Sequence, residues 1–278
     1  MKKSFYAVII ISIISSLFFI FGCSDNPTTP AVKSNALGLG SGVEPDESYS
    51  QEQYAAMFDT TMIYGEIGLY QSLASYVNMD HSSTLEFNLG IAYFWEKGHT
   101  YPPLSNDSIF IKIDSLSINN VSFIRTDSNN LCMLMNPPLN LGTSTNHFYI
   151  KLNQSTPAYD NNISLPPAIK IEYPTLGKIL YTDRKTVVKW NGTNNGYVYL
   201  EIRPYNFYDT TTTIPVAKGY IKDDGEFIIN DKDLDKFPDG NYTLLLNRIS
   251  YYFPKFPNNN AFLISLNSSE SIMLQIKH

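Results

Sequence analysis

Apolar residues recur at every second position along much of this chain, and that period limits what the chain can fold into. Leu85, Phe87, Leu89, Ile91 and Tyr93 alternate with Glu86, Asn88, Gly90 and Ala92. Ile109, Ile111 and Ile113 alternate with Phe110, Lys112 and Asp114, and Phe148, Ile150 and Leu152 with Tyr149, Lys151 and Asn153. Successive side chains of a strand point to opposite faces, so each run reads as a strand with one face on a core. The connections are rich in Asn, Ser, Pro and Gly. No helical pattern recurs to supply the crossovers that parallel strands need, so the expectation is an all-β chain of antiparallel sheets. With 43% hydrophobic and only 17% charged residues, most of it can bury a core.

A boundary is expected near Pro166-Pro167, after the polar, turn-rich stretch that runs to Leu165. Beyond it seven short strands are predicted near 168–173, 185–191, 196–203, 214–221, 225–230, 241–249 and 271–277. Asp223-Asp224-Gly225 reads as a hairpin turn between the fourth and fifth, and Pro238-Asp239-Gly240 as a turn into the sixth. Within this half, Ile169 to Gly177 with Pro174, followed by Thr186 to Trp190, resembles the opening of bacterial Ig-like and fibronectin-III-like modules. There an extended strand leads to a second strand that ends in a core tryptophan. Phe237-Pro238-Asp239-Gly240-Asn241-Tyr242 is similar to the step into a late strand of such modules. The resemblance implies a β-sandwich over 166–278, packed around Trp190, with Tyr242 holding a corner by a hydroxyl-to-backbone hydrogen bond. Residues 46–165 are expected to hold a second, more divergent β-sandwich domain, led by a short helix over 46–58 that would dock Tyr54, Met57 and Phe58.

The N-terminus reads as an address. Lys2 and Lys3 precede an apolar run from Phe5 to Phe21, and a polar Ser24-Asp25-Asn26-Pro27 segment follows Cys23 with no basic stop-transfer cluster. Gly22-Cys23, with Ile20 three residues before the cysteine, resembles the lipobox of bacterial lipoproteins. The resemblance implies that 1–22 is a signal peptide and that Cys23 is acylated and tethers the protein to a bilayer. Ser24 after the cysteine, by the same resemblance, favours the outer membrane over the inner one. Residues 23–45 hold Pro27, Pro30, Pro45, Gly38, Gly40 and Gly42 without apolar periodicity and read as a flexible stalk.

Composition and motifs narrow the chemistry. The formal charge is −6, from 20 basic and 26 acidic residues, which argues against a nucleic-acid partner. Two cysteines exclude a disulfide framework and a multi-cysteine metal site. Cys132, in an apolar run, reads as a buried thiol. His81, His99, His147 and His278 are too scattered for a helical zinc motif, and no nucleophile elbow or phosphate-binding loop is present. The run Asp231-Lys232-Asp233-Leu234-Asp235 starts like a calcium loop but has Lys236 where the turn glycine belongs, so it reads as a solvated acidic loop. No catalytic residue, metal or cofactor is therefore expected.

The remaining lead is aromatic. Tyr251, Tyr252 and Phe256 precede an Asn-rich turn, Tyr205 and Tyr208 flank another, and Trp95 sits near a strand end. On loops such rings can anchor a protein partner or stack on sugars, and the favoured alternative is that they cap the sandwich core or pack the two domains together. Together these features predict a membrane-anchored envelope protein that binds, adheres or builds structure through an unknown protein or glycan ligand. A carbohydrate-binding accessory role is the first alternative and an envelope hydrolase the second.

Overall fold

The computed structural model describes residues 63–78, 81–95, 110–125, 131–194, 196–205, 217–258 and 260–278. The leader with Cys23, the stalk, the 46–58 helix and Tyr208 lie outside these. The strands in chain order are β1 (Ile63–Asn78), β2 (His81–Trp95), β3 (Phe110–Ile111), β4 (Ser115–Ile118), β5 (Val121–Ser122), β6 (Ile124–Arg125), β7 (Cys132–Met135), β8 (Thr145–Lys151) and β9 (Tyr159–Ser164). The second half holds β10 (Ile171–Tyr173), β11 (Ile179–Tyr181), β12 (Thr186–Trp190), β13 (Tyr197–Pro204), β14 (Ala217–Lys222), β15 (Glu226–Ile229), β16 (Gly240–Tyr252) and β17 (Ala261–Lys277). One short helix, α1 (Asp231–Leu234), precedes β16.

A ten-stranded sheet runs through both halves in the order β14-β13-β16-β17-β1-β2-β7-β6, with β11 beside β17 and β3 beside β2. Two smaller sheets accompany it: β5-β4-β8-β9 from the first half and β10-β12-β15 from the second. Strand β17 explains how they fit. Phe262, Ile264 and Leu266 enter one core with Phe94, Phe148, Ile150 and Tyr159. Ile272, Leu274 and Ile276 enter another with Val188, Trp190, Leu200 and Phe227. All six have the same parity along an unbroken register with β16, so both cores lie on one face of the long sheet, side by side.

Between the cores that face turns polar. Ser268, Glu270 and, across on β16, Arg248 are buried at the seam. Ser268 Oγ accepts the Ile169 N–H at 2.9 Å, and a Glu270 carboxylate oxygen accepts the Ile171 N–H. The chain is thus gripped where it crosses from the first core to the second.

Several expectations hold. Phe148, Ile150 and Leu152 are buried, as is Cys132, whose thiol is pushed up by burial. Trp190 is buried in the second core, and the Tyr242 hydroxyl donates to the Pro238 carbonyl at 2.8 Å, the corner that the module resemblance implies.

Others need correction. The sheets are not purely antiparallel: β1 and β11 both pair with β17 in parallel. No helical crossover is required, because β1 and β17 come from opposite ends of the described chain. The boundary near Pro166-Pro167 marks where the chain leaves the first core, but the first core is not built from the first half alone. Residues 261–272 pair with β1, Phe256, Phe262, Ile264 and Leu266 fill the first core, and all described residues belong to one compact unit. The turn at Asp223-Asp224-Gly225 does not close a hairpin: β14 belongs to the long sheet and β15 pairs with β12, so the chain changes sheets there, with Gly225 at φ +93°. Strand β11 falls where no strand is predicted, and the acidic run 231–235 carries α1.

On β2 the reading of faces is inverted. Ala92 and Phe94 face the first core, while Leu89, Ile91 and Tyr93 lie on the other face of the long sheet. The core side of β2 is small because rings occupy the space. A Cβ on Gly90 would meet the Phe123 ring at 2.9 Å, and one on Gly65, across from Phe94, would overlap the Phe94 ring at 2.1 Å.

Candidate functional site: a basic groove lined by tyrosines

Two of the rings named as binding candidates, Phe256 and Trp95, are buried. Phe256 is 2% exposed in the first core, edge-on to Phe94 and Tyr159. Trp95 is 1% exposed and packs with Ile63, Leu263 and Tyr251 on the opposite face of the long sheet. Tyr251 and Tyr252 are the last residues of β16, half-buried, and adjacent positions on a strand point apart; Tyr252 packs against the first core. Burial raises the Tyr252 phenol above its ordinary range. Tyr205 is exposed at the end of β13. The structure brings Trp95 and Tyr251 together as packing.

A concavity lies elsewhere, where β10 and β12 of the small sheet meet β11 on the edge of the long one. It encloses about 480 Å³. Its walls carry Tyr173 and Tyr181, 36% and 41% exposed, and the cations Lys178, Arg184, Lys185 and Lys189. Local chemistry builds it. Pro174 and Gly177, at φ +73°, turn the chain between β10 and β11, and the Gly177 N–H donates to the Met273 carbonyl at 2.8 Å. Strand β11 is then fixed along Gln275–Lys277 of β17. The Gln275 N–H donates to the Lys178 carbonyl at 2.9 Å, and the Thr182 N–H to the Lys277 carbonyl at 3.0 Å. On β12, Val188 and Trp190 are buried, so Lys189 points to solvent, beside Tyr173 in the β10–β12 register.

Two of the cations are partly neutralised at the rim. Arg184 donates to Asp183 through Nε at 2.8 Å and Nη2 at 3.2 Å, and that pair holds the Asp183 carboxyl below its usual range. Lys189 Nζ lies 3.0 Å from Glu226 Oε2. Lys178 and Lys185 have no carboxylate partner among the described residues. Arg184 sits 4.9 Å from the centre of the Tyr181 ring and Lys178 6.0 Å from that of Tyr173, within reach of cation–π attraction. The groove is therefore a patch of excess positive charge on an acidic protein, with two aromatic faces in it. That arrangement can hold an anion and stack on a flat ligand.

The most buried charged cluster has a different character. Arg248 donates to Asp223 through Nε at 2.7 Å and Nη2 at 3.0 Å, and also to the carbonyls of Pro167 and Asn191. The Asp223 carboxylate further accepts Trp190 Nε1 at 2.7 Å and Thr193 Oγ1 at 2.5 Å. Each guanidinium nitrogen and each carboxylate oxygen in it has a partner, so it closes the second core rather than offering a site. Among the described residues no cluster of His, Cys, Asp and Glu could hold a metal ion.

Sequence reasoning passed over the groove. Its signal was Lys178, Arg184, Lys185 and Lys189 within twelve residues, a fifth of the basic residues of a chain that has 20, with Tyr181 among them.

Neither a protein-family model nor a curated protein sequence matches the chain. Among solved structures it is similar to the crystal structure of DIP-gamma IG1+IG2, at 10% identity over 76% of this chain and 95% of that one, with a TM-score of 0.22. It is also similar to an I-band fragment from titin, at 13% identity over 78% of this chain and 66% of that one, with a TM-score of 0.18. The fold described above rests on its own strand order and register, not on these likenesses.

Proposed function

We propose that this chain is an exported lipoprotein, tethered to the cell envelope through acylated Cys23, that acts by binding rather than by catalysis. The leader supports the address: a basic start, an apolar run and a small residue before a single cysteine. The observation that carries the binding reading is the basic groove with its exposed Tyr173 and Tyr181. Ile63, the first described residue, lies beside Ala261, while the groove flanks Gln275–Lys277. At 3.3 Å per residue these points are roughly 45 Å apart along the strand. Buried Trp190 and the Tyr242–Pro238 corner favour an Ig-like module in the second half, the kind of rigid scaffold on which surface sites are commonly carried. Ser24 favours the outer membrane.

The test is lipid attachment. The protein made in cells fed labelled palmitate should carry the label and fractionate with membranes. Cys23→Ala should carry none and retain its leader. Membrane association that survives Cys23→Ala with full label elsewhere would overturn the tether.

A further inference from the structure

We infer that the groove between β11 and the β10–β12 edge binds an acidic polysaccharide, with Tyr173 and Tyr181 supporting the sugar rings and Lys178 and Lys185 pairing with its carboxylates. This rests on the reading of the chain as a binding protein and names the ligand of that surface. Four observations point the same way.

The first is charge. The groove gathers Lys178, Arg184, Lys185 and Lys189 on a chain of net charge −6, and only Arg184 and Lys189 are answered by nearby carboxylates. A cluster of like charges costs free energy unless it is solvated or meets counter-charge, so an anion bound there relieves repulsion. The second is shape. About 480 Å³ is within the range of small-ligand pockets and accepts part of a polymer rather than a protein surface.

The third is the pair of exposed tyrosines. A phenol ring offers an apolar face for the C–H side of a sugar and a hydroxyl at its rim. Arg184 and Lys178 lie against the two rings and hold positive charge next to the stacking surface. The fourth is charge density. Double-stranded nucleic acid carries a charge about every 1.7 Å, and an acidic protein body repels it over a long contact. A polysaccharide with about one carboxylate per sugar presents fewer charges, which the small set of cations in the groove can answer. An anionic bilayer surface is flat, whereas these groups line a hollow.

Affinity electrophoresis of the detergent-solubilised full chain tests this, with polygalacturonate in the gel and neutral dextran as the control. Polygalacturonate should retard the protein and dextran should not. Lys178→Gln with Lys185→Gln should weaken retardation by about tenfold, and Tyr181→Ala by several-fold, while Tyr181→Phe retains most of it. These side chains are exposed, so the melting temperature of each variant should match that of the parent, which separates lost binding from lost folding. Retardation should also fade as salt is raised. No retardation of the parent, equal retardation of the lysine variant, or a parent that prefers phosphatidylglycerol vesicles to polygalacturonate would each overturn the assignment. Labelling at Cys23 reads out separately, so loss of the ligand assignment leaves the tether standing and loss of the tether leaves the groove assay valid.

Discussion

The two cores on the shared face of the long sheet are built differently. The first is aromatic: Phe94, Tyr159, Phe256 and Phe262 pack with ring centres 5.0–6.2 Å apart. Its polar closure is neutral. Fully buried Asn146 accepts from the Asn140 N–H at 2.7 Å, returns a bond to the Asn140 carbonyl at 3.0 Å and takes a third from Asn119. The second core is mainly aliphatic around Trp190, and its closure is ionic, through Arg248 and Asp223. The difference follows from assembly. The second core is drawn from one continuous stretch, 169–276, whereas the first needs Phe256, Phe262, Ile264 and Leu266 from the far end of the chain. A core assembled from distant segments pays more loop-closure entropy, and large interlocking rings supply much buried area per residue in return.

The sharpest way to break this comparison is to separate the halves. Expressed alone, 63–165 lacks one wall of its core and should show no cooperative thermal transition by circular dichroism. A fragment 166–278 keeps all of the second core and should retain strand signal. A cooperative melt for 63–165 would show that the first half needs nothing from β16 and β17. Next in size is the contrast between closures. Asp223→Ala leaves the Arg248 guanidinium buried and unanswered and should cost about 3–5 kcal/mol. Asn146→Ala removes a neutral group of the same kind of duty and should cost about 1–3 kcal/mol. Both should shift one shared transition in chemical denaturation, because β17 belongs to both cores; two separate transitions would mean that the seam uncouples them.

The smallest effect sits at the seam itself. Burial raises the Glu270 carboxyl above its ordinary range, countered in part by the Ile171 N–H and the charge of Lys170. The folded state then binds its proton more tightly than the unfolded chain does, so stability falls as pH rises through that window and stays lower above it. Glu270→Gln keeps an oxygen for the Ile171 N–H and removes the buried charge. It should raise the melting temperature at pH 7 by about 2–4 °C, corresponding to ~1 kcal/mol, and the gain should vanish at acid pH where Glu270 is protonated. A lower melting temperature at neutral pH would show that the charge is stabilising there.

How far the sequence foretold this follows the same divide. In the second half the strands around Trp190 and the turn before Tyr242 were legible, because their partners are close in sequence and each residue pattern matches one local geometry. The sheet change at Asp223 was not, since a turn of Asp-Asp-Gly looks the same whether it closes a hairpin or crosses between layers; Trp190 and Arg248, which make the difference, are remote. In the first half the alternation of β2 revealed a strand but misassigned its faces. Gly90 and Ala92 read as the exposed side by hydropathy, yet they are small so that Phe123 and neighbouring rings can lie on them. Trp95 and Phe256 sit beside turn-forming sequence yet are buried, because large apolar rings gain more from burial than from exposure. The groove went unread because a run of cations in sequence does not show that Lys178, Arg184, Lys185 and Lys189 line one hollow with Tyr173.

The pairing of β1 with β17 sets an order of folding. The first half is synthesised before residues 256–266, so its core stays open on one side until those residues have left the ribosome.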